Sequence, residues 1–244
     1  MRETERRLKR LELSIKKVKA IFITHEHSDH IAGVTKLAKR HQLPVYITQQ
    51  TLQQGQLEIP QSLVMSFKAY EPVHIGNLVV TGFQKRHDAC DPHSFIVSCS
   101  GVTVGVFTDI GVACDHVIKH FKQCHAAFLE SNYDVDMLAN GRYPIFLKNR
   151  IRDGYGHLSN AQALSLFMNH RPSFMTHLFL SHLSRNNNSP EIAMNLFSRI
   201  AGKTKVIIAS RHEETPVYHI NSLQNASSRL MNTKEQMKNQ LSLF

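Results

Sequence analysis

No run of about 18 or more apolar residues occurs in this 244-residue chain, so a membrane-spanning helix is not expected. The first residues, Met1-Arg2-Glu3-Thr4-Glu5-Arg6-Arg7, are charged and carry no apolar stretch, unlike a secretory signal. Cysteine is scarce: Cys90, Cys99, Cys114 and Cys124 form no Cys-x-x-Cys pair and no dense framework. The expectation is a cytoplasmic protein with reduced thiols. Acidic residues are also few, 19 against 29 Lys and Arg, which leaves a formal charge of +10 and a pI near 9.6. Such a charge favours polyanionic partners, nucleic acid above all, through phosphate contacts and counterion release. Much of the excess lies in the first 20 residues and around Lys148 to Arg152, so a dispersed, solvated basic surface stands beside that reading.

What is present is an ordinary globular composition, 42% hydrophobic and 20% charged, with enough chain for one substantial core. Residues 3–16 read as a helix and 18–24 as a short buried strand. The next helix carries Ile31, Val34, Leu37 and Ala38, capped by Ser28 or Asp29, and leads to a strand from Pro44 to Ile47. Strand-like segments follow near 63–68, 78–84, 94–99 and 102–107, the last two joined by a Ser100-Gly101 turn. Helices at 112–121, 160–170 and 190–200 then alternate with strands at 126–130, 174–180 and 206–209, which argues for an α/β or layered α+β fold. Asn, Ser, Gln and Lys dominate beyond residue 221, so the expected organisation is one domain over 1–220 and a polar tail over 221–244.

Thr24-His25-Glu26-His27-Ser28-Asp29-His30 follows the first strand. Imidazole nitrogens and carboxylate oxygens are ligands that zinc, manganese and iron accept. His25, His27, Asp29 and His30 concentrate four such groups where the strand-to-helix junction supplies the turn that lets them converge. Two ions in such a cluster, roughly 3.5–4 Å apart, clamp an attacking hydroxide and a substrate oxygen. A charged helix entry with incidental histidines is the plainer alternative.

This string resembles the signature loop of the metallo-β-lactamase superfamily, and residues 4–218 are similar to its YycJ/WalJ-type hydrolases. Those are relatives of the tRNA 3′-processing endonucleases and are regarded as DNA exonucleases. The resemblance is carried further by His87-Asp88-Ala89, Phe107-Thr108-Asp109, Leu129-Glu130-Ser131-Asn132-Tyr133-Asp134, Gly156-His157-Leu158-Ser159-Asn160 and Leu180-Ser181-His182-Leu183-Ser184. It implies an αββα sandwich holding two divalent metal ions, zinc or manganese. In it His25, His27 and His87 hold one ion, Asp29, His30 and His182 hold the other, and Asp109 bridges them. His93 competes with His87. The family's His-Asp-Ala motif followed by a short loop and an apolar strand matches His87, with His93 expected to line the pocket.

The resemblance also implies that His157, oriented by Glu130, meets the scissile phosphate, and that Asp29 belongs with them as a catalytic residue. The implied enzyme is a hydrolase of nucleic acid, DNA in the first instance, working by attack of metal-bound hydroxide on phosphorus. Arg142, Tyr143, Lys148, Arg150 and Arg152 suit a phosphate backbone and a stacked base, or equally an amphipathic helix with Ile145, Phe146 and Ile151 inward. Arg185-Asn186-Asn187-Asn188 is either a pocket rim or a polar loop.

Members of this family normally start with a strand hairpin, a Ser/Gly-rich loop and another strand before the helix matched by residues 3–16. Those elements are absent, and the total of 11 glycines agrees, so the expected fold lacks its first strands. Two other classes stand beside the nuclease. One is a small-molecule ester, thioester or lactam hydrolase on the same metal loop; the other is a non-catalytic relative that binds metal or nucleic acid.

Overall fold

A computed structural model describes residues 2–222, so residues 223–244 of the expected tail lie outside the described residues. The first helix, α1 (Arg2–Arg10), ends well before residue 16 because Glu12 takes a positive φ of 56°. It buries no residue and is tied down through polar contacts, with Glu5 bonded to His41 at 2.7 Å and Arg10 paired to Glu214. Strand β1 (Ile21–Phe22) leads into the histidine loop. The single helix expected next is two, α2 (Ser28–Ile31) and α3 (Val34–His41), divided at Gly33 with φ 90°. Neither Ser28 nor Asp29 is the cap: His27 occupies that place and makes no side-chain cap bond. The Asp29 carboxylate is therefore not spent on the helix start.

Strand β2 (Val45–Tyr46), helix α4 (Gln49–Gln54) and β3 (Val64–Met65) complete a parallel sheet in the order β1-β2-β3. Next come β4 (Pro72–Ile75), β5 (Leu78–Gln84), β6 (His93–Cys99), β7 (Val102–Phe107), α5 (Asp115–Phe121) and β8 (Ala126–Glu130). The remainder is α6 (Val135–Asn140), α7 (Ile145–Arg152), α8 (Asn160–His170), β9 (His177–Ser181), α9 (Pro190–Ser198) and β10 (Lys205–Ile208). The seven later strands lie in the order β10-β9-β8-β7-β6-β5-β4. The Ser100-Gly101 turn forms as expected, with φ of 48° and 78° matching the right-handed strand twist. Three elements were not legible. β4 opens on Pro72, and α4 and α6 are short and lack a clear apolar period.

Side-chain alternation sorts these strands into layers. Ile23, Val45 and Ile47 turn to α3, packing with Val34 and Ala38, while Phe22 and Tyr46 turn the other way onto Phe95, Phe67 and Val80 of the second layer. The opposite face of the large sheet, with Phe83, Ile96, Phe107, Leu129, Leu178 and Leu180, is covered by Phe121 of α5, Phe167 of α8 and Phe197 of α9. This is the expected helix–sheet–sheet–helix order. Because β5 and β7 both run antiparallel to β6, they share a direction, and β8 and β9 run parallel to β7. Four strand C-termini thus meet at one edge, the usual seat of function in α/β sheets. The histidine loop joins that edge through the His93 N–H, which donates to the Thr24 carbonyl at 2.9 Å.

Candidate metal centre

His87 follows β5, Asp109 follows β7, Glu130 ends β8 and His182 follows β9, all at the edge where the loop after β1 delivers His25, His27, Asp29 and His30. Ligand-type atoms gather there in overlapping sets: His25, His27 and His87; His25, His30 and Asp109; Asp29, His30 and His182; and Asp109, Glu130, His157 and His182. Within each set the atoms lie no more than 4.8 Å apart. Every residue expected for the metals or for catalysis is therefore in one place. Glu26, in the same loop, is turned aside and accepts the Cys90 N–H at 2.8 Å.

Hydrogen bonds dictate which ring nitrogens face inward. His87 Nδ1 lies 3.1 Å and 3.0 Å from the carbonyls of Tyr155 and Gly156, and His27 Nε2 lies 3.1 Å from the Asp88 carbonyl. A carbonyl only accepts, so each of these nitrogens carries the proton and donates. The remaining nitrogens, His87 Nε2 and His27 Nδ1, then confront each other as lone pairs 3.3 Å apart. Burial, helped by the cation of Lys85, pulls His25 down to about 2 and His87 down to about 4, keeping both rings neutral. His25 Nε2 is buried with no hydrogen-bond partner among the described residues. Three converging lone pairs repel unless a cation sits among them, so this donor set fits a metal ion.

Asp109 stands between the two halves. Its Oδ2 lies 3.2 Å from His30 Nε2, and its Oδ1 lies 3.6 Å from His182 Nδ1 and 3.9 Å from His87 Nε2. Burial opposes its charge, yet His30, His182 and Lys85 together hold the carboxyl well below the usual carboxylate range. Among the described residues the buried Oδ2 accepts no well-directed hydrogen bond despite the nearness of His30, and a cation would satisfy it. Asp109 and His182 also share a left-handed backbone, with φ of 56° and 57°, which is strained for residues other than glycine. Both turn off the end of a strand abruptly enough to point back at the centre.

Glu130 does more than orient His157. Its Oε1 accepts from His157 Nδ1 at 2.8 Å and from His182 Nδ1 at 2.7 Å, while Oε2 accepts the main-chain N–H of Ile110 at 2.8 Å and Leu158 at 3.2 Å. Although buried, it is held at about 2 by those two imidazoles. His182 is pushed the other way, up to about 9: burial works against its charge, but the bond to Glu130 outweighs it. The sequence signal for this double role was only a glutamate at a strand end. Lys85 was missed entirely. It is buried, donates to the Thr108 carbonyl at 2.7 Å, and is lowered to about 8 by burial, despite the nearby Asp109 and Glu130.

Asn187 and Asn188 are buried instead of forming a rim. The Asn188 amide donates to the carbonyls of Ser131 and Asn132 and to Asn160 Oδ1, locking the loops that carry Glu130, His157 and His182. The Asn132 amide adds a bond to the His182 carbonyl at 2.8 Å. Gly156 is required beside this lock, because a Cβ there would stand 2.2 Å from the Ile151 carbonyl.

His93 is 3% exposed, lies against the Phe67 ring and joins none of the ligand sets among the described residues. It also does not line the central cleft, contrary to expectation. That cleft, of about 390 Å³, is bordered by Tyr143, Leu147, Ile151, Arg185 and Arg211 as well as by the centre itself. The amphipathic reading of α7 is half wrong: Ile151 is half-buried, but Ile145 and Phe146 stand 66% and 72% exposed. Of the basic group there, Arg150 pairs with Asp88 at 2.5 Å and Lys148 caps the Ala139 carbonyl at 2.7 Å. The four cysteines are unpaired, and among the described residues no helix is long and apolar enough to cross a membrane.

Residues 1–182 match the family described as beta-lactamase superfamily domain. The chain is 34% identical to exodeoxyribonuclease YycJ of Bacillus anthracis over 200 residues, covering 81% of this chain and 76% of that protein. It is 30% identical to exodeoxyribonuclease WalJ of Streptococcus pneumoniae over 190 residues, 75% of this chain and 70% of that one. Among solved structures it resembles the metallo-beta-lactamase fold protein YhfI of Bacillus subtilis, with TM-score 0.63 and 19% identity over 80% of this chain and 76% of that chain.

Proposed function

This chain belongs to the beta-lactamase superfamily domain family, and from that premise we propose that it is a two-metal phosphodiesterase that hydrolyses DNA as an exonuclease. The observation that carries the reading is the paired ligand sets, His25/His27/His87 and Asp29/His30/His182, with buried Asp109 between them. Neutral imidazoles with carboxylates suit zinc or manganese. When bound, two such ions supply Lewis acidity toward a phosphate oxygen and an activated water.

The protein's own part is orientation and charge. Glu130 holds the Nδ1 protons of His157 and His182, so His157 keeps Nε2 free toward the cleft that it lines. In its imidazolium form, with a second proton on Nε2, it donates that proton to the departing ester oxygen and is left neutral, its Nδ1 proton still on Glu130. Asp29, whose side chain is 66% exposed, stands at the mouth beside His30, at 3.6 Å. Arg185 and Arg211 border the same cleft and balance the phosphate charge.

The test uses purified protein stripped with chelator and reloaded with zinc or manganese, given end-labelled DNA and RNA of one sequence. Mononucleotides released from DNA only after metal is restored are the expected result. Folded, metal-loaded protein that leaves DNA intact yet hydrolyses an ester or thioester would overturn it.

A further inference from the structure

The space around the metal centre is lopsided. On the side of His157 and Arg150 the cleft continues into a recess of about 130 Å³. On the side of His182 it adjoins a cavity of about 710 Å³, and the two share Leu183, Arg185 and Arg211 among their walls. Only the larger falls within the roughly 300–1,000 Å³ of pockets that enclose a small organic ligand. Its floor is apolar, from Leu183, Ile208 and Ala209, and its edge is cationic or titratable, from Arg185, Arg211 and His212. Among the described residues no carboxylate lines it. The Arg211 guanidinium is anchored on the Leu183 carbonyl at 2.8 Å, while Arg185 is exposed at the rim.

We propose that this cavity seats the nucleoside joined to the scissile phosphate, with the base on the apolar floor and the phosphate toward Arg185 and Arg211. The inference rests on the nuclease reading and deepens it. A flat aromatic base with a charged phosphate is the ligand that matches an apolar floor under a cationic rim. The small recess on the opposite side has no room for a second nucleoside. Recognition is therefore one-sided, and the nucleotide isomers that carry phosphate at 3′ or at 5′ do not fit equally.

Calorimetric titration of the metal-loaded protein with inorganic phosphate, thymidine 3′-monophosphate and thymidine 5′-monophosphate reads the cavity without turnover. One nucleotide isomer is expected to bind roughly tenfold or more tightly than phosphate. Ala209→Leu, which narrows the floor, and Arg185→Ala, at an exposed position that folding tolerates, each shrink that advantage to about threefold or less. Equal binding of phosphate and both nucleotides overturns the proposal, as does an advantage that both variants retain. DNA cleavage is scored separately. A nucleotide advantage without cleavage sinks the nuclease reading alone, whereas cleavage without the advantage sinks the cavity alone.

Discussion

His87 and His27 direct their ring protons at main-chain carbonyls, whereas His182 gives its own to the Glu130 carboxylate. His27 and His87 are thus oriented by backbone that the strands already hold in place, while His25 turns its Nδ1 to the Thr24 hydroxyl at 2.9 Å. The second half depends on a side chain that must itself be ordered, and Glu130 is ordered only because the N–H groups of Ile110 and Leu158 grip its other oxygen. The halves differ in charge as well. His25 and His87 are neutral and buried, while His182 sits between Glu130 and Asp109, and the Asp29 side chain is 66% exposed. The first half thus presents neutral donors, two of them buried, and the second carries charge and reaches solvent through Asp29.

The most severe way to break this comparison is Asp109→Ala, which removes the residue common to both halves. Elemental analysis is expected to fall from about two ions per chain to one or none, with phosphodiester hydrolysis lost. Wild-type content in a folded variant would show that the halves do not share it. Glu130→Gln should act on one half only. Loss of the charged acceptor weakens the His182 ion and slows hydrolysis by about 10–100-fold, while the His25/His27/His87 ion is kept. Equal loss of both ions would erase the distinction between backbone and side-chain support.

The pH dependence of the chelator-stripped protein sharpens the contrast, because the halves give limbs of opposite slope. His25 and His87 titrate near 2 and 4 in the fold, so below their ordinary 6.5 the unfolded chain binds protons that the fold refuses. Stability then falls with falling pH. Glu130 adds to this limb, since its contribution is complete above 4.5 and is lost toward 2. His182 is raised to about 9, so its contribution is complete below 6.5 and is lost as pH rises through 9. Melting temperature is expected to peak near pH 6.5, with Lys85, lowered to about 8, limiting the alkaline fall above pH 8. His182→Gln is expected to flatten the alkaline limb more than the acid limb, which it touches only through Glu130. A wild-type profile with a single limb would contradict the assignment. The smallest effect belongs to His93→Gln: packed on Phe67 and outside every ligand set, it should leave metal content unchanged. Loss of one ion would restore His93 as the rival of His87.

The histidine loop was readable because four of its ligands fall within six positions, so their convergence needs only a local turn. The hairpin at Ser100-Gly101 was readable for the same reason. Distant partners were not. His87, Asp109 and His182 lie 57, 79 and 152 positions beyond His30 and reach it only through sheet order, and it took the family resemblance to pair them. The expected cap at Ser28 or Asp29 failed because His27 starts that helix, and among the described residues no element covers Ile145 and Phe146 of α7.

By itself the sequence determined the donor chemistry, the local turn that concentrates it, the basic charge, and the alternation of strand and helix that makes a layered α/β fold. Those are properties of residue type and short spacing. Tertiary structure alone decided that four strand ends share one edge, that Asp109 and His182 accept a left-handed backbone, and that one buried glutamate orients two histidines. It also decided that Lys85 lies buried beside them and that the free space lies mainly on the His182 side. Strand order, burial and the direction of a ring proton are set by contacts between residues far apart in the chain, and no local pattern encodes them.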